Sequence, residues 1–95
     1  MGAMANKAKP AKNDDIRIHN RLAVLRAERG LSRQALAEAV GVNPQTIGFL
    51  ERGDYHPSLT LAFALSLYFD VPIEAIFSHR PFQPLKSWPS AASGM

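Results

Sequence analysis

The stretch Ser32-Arg-Gln-Ala-Leu-Ala-Glu-Ala-Val-Gly41-Val-Asn-Pro-Gln-Thr-Ile-Gly-Phe-Leu-Glu-Arg-Gly53 decides how the whole chain is read. Ser32 is an N-cap residue, so a helix is expected over Arg33 to Val40, with Ala35, Leu36 and Val40 turned inward. Gly41 ends it in a left-handed conformation. Asn43 caps the next helix, and Pro44 occupies its first position, where a missing N–H costs nothing. Ile47 and Leu50, three residues apart, face the core before Gly53 stops the helix. Ala37 is small enough for two helices to approach closely. The phrase therefore predicts two short helices hinged about Gly41.

Working outward, Asn20 to Arg29 forms an earlier helical phrase whose stripe is Leu22, Val24 and Leu25, stopped by Gly30. Pro57-Ser58 opens a fourth helix, Leu59 to about Phe69, and Pro72 opens a short fifth, Ile73 to Phe77. Helices of two or three turns are marginal alone, so they must pack together. The expected core is Leu22, Leu25, Leu36, Val42, Ile47, Leu50, Leu61, Leu65, Phe69 and Ile76. The fold class is all-α, a compact five-helix domain. One minor strand is expected as well: Ile16-Arg17-Ile18 alternates and can pair with residues near His79 to Phe82.

At 95 residues, with 46% hydrophobic and 20% charged side chains, the chain has room for one domain and a composition that folds. The absence of cysteine removes disulfides, thiol catalysis and cysteine-ligated zinc. No apolar run reaches the ~20 residues of a membrane span, and the N-terminus lacks an apolar signal core, so a cytoplasmic location is expected. The net charge of +3 is unevenly divided. Residues 16–77 hold six arginines and six acids and are neutral overall, which leaves both tails basic. Bulk charge is thus a weak argument for a polyanionic partner, and the placement of the arginines matters more. Residues 1–15 read as a flexible basic arm carrying Lys7, Lys9 and Lys12. Residues 16–79 read as the folded domain. Residues 80–95 form a Pro-rich tail whose apolar anchors are Phe82, Leu85 and Trp88.

At its punctuation marks the sequence resembles the phage-repressor and Cro-like helix-turn-helix transcriptional regulators, also called the xenobiotic-response-element family. The shared features run from Asn20 to Phe77. They are Asn20-Arg-Leu, Ser32 with Gln34, Leu36-Ala37, Gly41-Val42, Thr46-Ile47, Glu51 with Gly53, Pro57-Ser58-Leu59, and Val71-Pro-Ile-Glu-Ala-Ile-Phe77. The resemblance implies that the third helix reads base edges through Asn43, Gln45 and Phe49. It also implies that Gln34, Thr46 and Arg52 contact the DNA backbone. Arg33 and Arg52 flank this surface and are placed to clamp phosphates. Gln45 has the chemistry to bond adenine bidentately, and Phe49 can pack on a thymine methyl. Three residues depart from the family pattern: Pro44, Gly48 inside a helix, and Asp54 where a cation is common.

Other groups read as structural. Arg17, Arg21, Arg26 and Arg29 are expected on a solvated helix face, pairing locally with Glu28. Glu51 is expected to pair within the domain. His19, His56 and His79 are too scattered to bind a metal, and no cofactor is expected. Ser32 and Ser58 are accounted for as N-caps, so catalysis has no foothold and the protein is not expected to be an enzyme. The fourth helix is unusual because it carries no charge from Leu59 to Phe69. Its Leu61, Leu65, Tyr68 face is assigned to the core, which leaves Ala64 and Leu67 bare on the Thr60 face. Two covers remain open: the chain's own tail, or a second copy meeting it through Phe63, Ala64, Leu67, Ile73, Phe77, Phe82 and Trp88. The expected function is a dimeric, sequence-specific double-stranded-DNA-binding regulator, a repressor at a pseudo-palindromic operator. The alternative is an antitoxin-like protein-interaction module that uses the fourth helix and the tail.

Overall fold

The computed structural model describes residues 12–83. Four α-helices form the domain: α1 (Leu22–Glu28), α2 (Arg33–Val40), α3 (Pro44–Arg52) and α4 (Leu59–Phe69). Short 3-10 turns lie at Asn13–Asp15 and Ile73–Ala75, and two-residue strands β1 (His19–Asn20) and β2 (Phe77–Ser78) pair antiparallel.

The helix boundaries follow from local chemistry. The Ser32 hydroxyl accepts from the Ala35 N–H at 3.0 Å, and the Ser58 hydroxyl accepts from the Leu61 N–H at 3.1 Å. Asn43 Oδ1 accepts from the N–H groups of Gln45 (3.1 Å) and Thr46 (3.4 Å). Each such cap satisfies an orphan donor and contributes about 1 kcal/mol. At the other end of α3, Gly53 adopts φ +81°, which lets its own N–H reach the Leu50 carbonyl and the Asp54 N–H reach the Phe49 carbonyl. This is the paired closure that favours a residue without a Cβ. Helix α4 closes in the same way over Asp70, the one described non-glycine residue at positive φ (58°), with the Ser66 hydroxyl donating to the Val71 carbonyl at 2.6 Å.

The core is a single cluster of Leu22, Leu36, Ala37, Ile47, Leu50, Leu61, Leu65, Phe69 and Ile76. Fully burying one such aliphatic side chain is worth ~1.5–3 kcal/mol, and this cluster draws on all four helices. The buried Ala37 lets α2 approach α3, and Ile47 and Leu50 hold α3 by one face.

Several expectations are corrected. The domain has four α-helices, not five. After Pro72 the chain makes one 3-10 turn and then enters β2, because Phe77 and Ser78 find backbone partners on β1 and the Ile76 carbonyl accepts from the Arg21 N–H at 3.0 Å. The fold is therefore mostly helical with a minimal sheet. The strand lies at His19–Asn20, not Ile16 to Ile18, and pairs with Ser78 and Phe77 in place of the segment from His79 to Phe82. Helix α1 starts at Leu22 because Asn20 belongs to the strand. There the Asn20 side-chain oxygen accepts from the Leu22 N–H, and its Nδ2 donates 2.7 Å to the Leu50 carbonyl. Val24 and Ala35 are exposed, while Leu25 and Val42 pack only on the margin of the core. On α4, Phe69 is buried as expected and Ala62 joins it, but Tyr68, assigned to the core face, is exposed with its ring edge-on to Phe69 at 5.2 Å.

None of Arg17, Arg21, Arg26 and Arg29 pairs with Glu28 among the described residues. Arg26 turns to Glu51, and Arg29 donates to the Phe69 carbonyl (2.7 Å) with its guanidinium 5.1 Å from the Phe69 ring centroid. Arg21 lies 5.0 Å from the centroid of Phe82. Long guanidinium stems reach across elements and cover apolar rings while their forks satisfy carbonyls, which a local helix pair cannot offer.

Candidate nucleic-acid interface

Helix α3 is amphipathic in a way that leaves chemistry at its N-terminal end. Its inward face is Ile47, Gly48 and Leu50, while Asn43, Pro44, Gln45 and Phe49 are exposed and Thr46 is half-buried. Gln34, near the start of α2, is exposed too. The Asn43 oxygen is committed to capping two backbone N–H groups, so only its Nδ2 remains to donate outward. The Gln45 side chain enters no hydrogen bond within the described residues, which leaves both halves of its amide for a partner.

Glu51 locks α3 to the two preceding helices. Its side chain is only 4% exposed and receives Arg26 Nε at 2.7 Å, Arg26 Nη2 at 3.3 Å and Arg33 Nε at 3.0 Å. A third Arg26 nitrogen, Nη1, donates to the Leu31 carbonyl at 2.8 Å. Burial pushes the Glu51 carboxyl up, but the hydrogen bonds from Arg26 and Arg33, with their positive charges, outweigh it and hold the group below the ordinary glutamate value. The bond to Glu51 likewise holds the Arg26 pKa above its ordinary value, against the opposing effect of burial. The expected intradomain role of Glu51 is thus observed. Arg33, assigned to phosphate contact, is tied to Glu51 through Nε yet its side chain remains 53% exposed.

At the other end of α3, Arg52 lies 5.1 Å from the Phe49 ring centroid and donates through Nε to Asp54 Oδ2 at 3.0 Å. Phe49 and Arg52 are one turn apart, a spacing visible in the sequence, but the involvement of Asp54 depends on the turn after Gly53. An open groove of about 560 Å³ runs beside this end, lined by Asp14, Asp15, Arg17, His19, Arg52 and His56, among others. The N-terminal segment therefore enters the domain next to Arg52. Along α4, Leu59, Phe63 and Leu67, spaced four residues apart, are 72%, 53% and 79% exposed, and Ala64 is half-buried. Ile73, Phe77 and Phe82 are also half-buried, Phe77 against the core of its own chain. Trp88, Lys7 and Lys9 lie outside the described residues. Among the described residues no group of three His, Cys, Asp or Glu side chains is placed to hold a metal ion, and no helix is long and apolar enough to cross a membrane.

Two helices joined across a left-handed glycine, the second held by one apolar face with its tip exposed, define a helix-turn-helix protein. The helix-turn-helix family model matches residues 22–76. An uncharacterised HTH-type transcriptional regulator of Archaeoglobus fulgidus is 42% identical over 60 residues, spanning 63% of this chain and 86% of that protein. One from Methanocaldococcus jannaschii is 47% identical over 58 residues, 61% of this chain and 88% of its own. The Bacillus subtilis regulator YgzD is 43% identical over 58 residues, with the same coverage. A crystal structure of a transcriptional regulator from Listeria innocua shares the fold, with a TM-score of 0.56 at 20% identity, over 81% of this chain and 79% of that one. The chain belongs to the phage-repressor and Cro-like helix-turn-helix family of transcriptional regulators.

Proposed function

We propose that this protein is a sequence-specific double-stranded-DNA-binding regulator that inserts the N-terminal half of α3 into the major groove. The observation that carries this reading is the anchoring of α3 by Ile47, Leu50 and Glu51, which leaves Gln45 and Phe49 exposed on a rigid element. Gln45 reads an adenine edge, Phe49 packs on a thymine methyl, and Asn43 adds a donor through Nδ2. Gln34, Thr46, Arg33 and Arg52 hold the sugar-phosphate backbone on either side. Residues 16–79 act as the binding domain. Asp14 and Asp15, the described end of the arm, line the groove beside Arg52, and in this reading Lys7, Lys9 and Lys12 of residues 1–15 add phosphate or minor-groove contacts. Two copies associate through the apolar stripe of α4 and place their α3 helices about 34 Å apart, so that the operator is pseudo-palindromic and occupancy represses. No catalytic step is assigned to any residue.

The test is selection of bound duplexes from a random library, followed by footprinting of the winners. Two protected patches one helical turn apart are expected. Gln45→Ala should lose roughly ten- to hundredfold on the selected duplex with little change on unrelated DNA. Failure to retain any duplex at low salt would overturn the reading. The exposure of Leu59, Phe63 and Leu67 supports a second reading, an antitoxin-like module in which α4 binds a different protein. In that case Gln45→Ala and Arg52→Ala leave the essential activity intact.

A further inference from the structure

Arg52 is held twice. Its guanidinium lies 5.1 Å from the centroid of the Phe49 ring, one turn back on α3, and its Nε donates 3.0 Å to Asp54 Oδ2. Both members of the ion pair are more than half exposed, so the pair adds little to stability. The Phe49 ring already seats the guanidinium, and α3 ends in a closure made by backbone bonds of Gly53 and Asp54, which do not need the Asp54 carboxylate. What the carboxylate does supply is a negative charge against the cation nearest the C-terminal end of the candidate reading helix.

We infer that Asp54 limits DNA affinity: its carboxylate partly neutralises Arg52 and so weakens the phosphate contact that Arg52 makes in every chain bound. The inference rests on the DNA-binding reading above. A cation already paired with a carboxylate releases little counterion atmosphere when it meets a phosphate, and the same carboxylate repels that phosphate. The device weakens sequence-independent binding more than base reading, because it acts on backbone charge at the opposite end of α3 from Gln45.

The experiment measures binding of the full chain to a fluorescent 30-base-pair duplex of random sequence by anisotropy, across a series of salt concentrations. Wild type, Asp54→Asn, Arg52→Ala and the double variant are compared. Asp54→Asn is expected to bind roughly two- to fourfold tighter at ~0.15 M salt, from one removed and partly screened repulsion at ~5 Å in water. Its log-log salt slope should steepen, by up to about one per chain. In the Arg52→Ala background the same substitution should leave the slope unchanged. An unchanged slope in Asp54→Asn alone overturns the inference. So does an equal steepening with and without Arg52, which would show a diffuse field effect. Because wild-type binding is measured in the same series, loss of all binding identifies failure of the DNA reading instead. Circular dichroism confirms that each variant is folded.

Discussion

Replacing Glu51 with Gln removes the charge that joins α3 to α1 and α2 while keeping the shape of the side chain. The carboxylate is almost wholly buried and accepts three nitrogen donors at 2.7, 3.0 and 3.3 Å. A hydrogen bond to a charged group is worth ~1.5–3 kcal/mol, and breaking a fully buried ion pair from one side costs ~3–5 kcal/mol. Arg33 is half exposed and contributes below ~1 kcal/mol, and the Arg26 side chain keeps 19% of its surface exposed, so the lower part of that range applies. The expected loss is about 2–3 kcal/mol, a large share of the ~5–10 kcal/mol that holds a domain of this size. Urea denaturation followed by circular dichroism should show it as a lower midpoint at constant slope, with Arg33→Ala losing less than half as much. The pH dependence has a defined sign. Because the folded-state pKa of Glu51 is lowered, its stabilisation is fully present above the ordinary glutamate value near 4.5 and is lost as pH falls through the folded value. Wild type should therefore lose stability below about pH 4.5, and Glu51→Gln should lose less over that window. A Glu51→Gln variant within ~0.5 kcal/mol of wild type, or one with an unaltered acid limb, would refute the assignment of Glu51 as the lock.

Gly48→Ala should stabilise the protein by about 1 kcal/mol, raising Tm by ~4–8 °C, because the added Cβ meets only Arg52 Nη1, at 3.7 Å. Asp70→Gly should add about 0.5–1 kcal/mol by relieving a left-handed residue, read from the same thermal melts. Leu67→Glu, at the most exposed apolar position, should change folding by less than ~0.5 kcal/mol yet convert a two-chain species to one in sedimentation equilibrium. A single-chain wild type at the same concentration would remove the proposed dimer.

Much of this fold was legible because its signals are local. The caps Ser32, Asn43 and Ser58 and the stops Gly30, Gly41 and Gly53 each act within four residues, and the helix boundaries from α2 to α4 followed from them. What was not legible depends on distance along the chain. Asn20 leaves the first helix because its amide finds Leu50, thirty residues away, and Arg26 finds Glu51, twenty-five away. The segment after Pro72 reads as helix because proline is a helix-opening residue, but the partners of Phe77 and Ser78 on β1 are invisible to any short window. At the candidate site, exposure of Gln45 and Phe49 follows from the helix period. The commitment of the Asn43 oxygen to capping and the pairing of Arg52 with Asp54 do not, since both depend on where the chain turns.

The most direct measurement is the pattern of amide chemical-shift changes in the labelled protein on titration with a selected duplex. Changes concentrated at Gln34, at residues 43–49 and at Arg52, with α4 affected only through dimer formation, are predicted. Changes confined to α4 and its exposed leucines, with residues 43–49 silent, would contradict the placement of α3 in the groove.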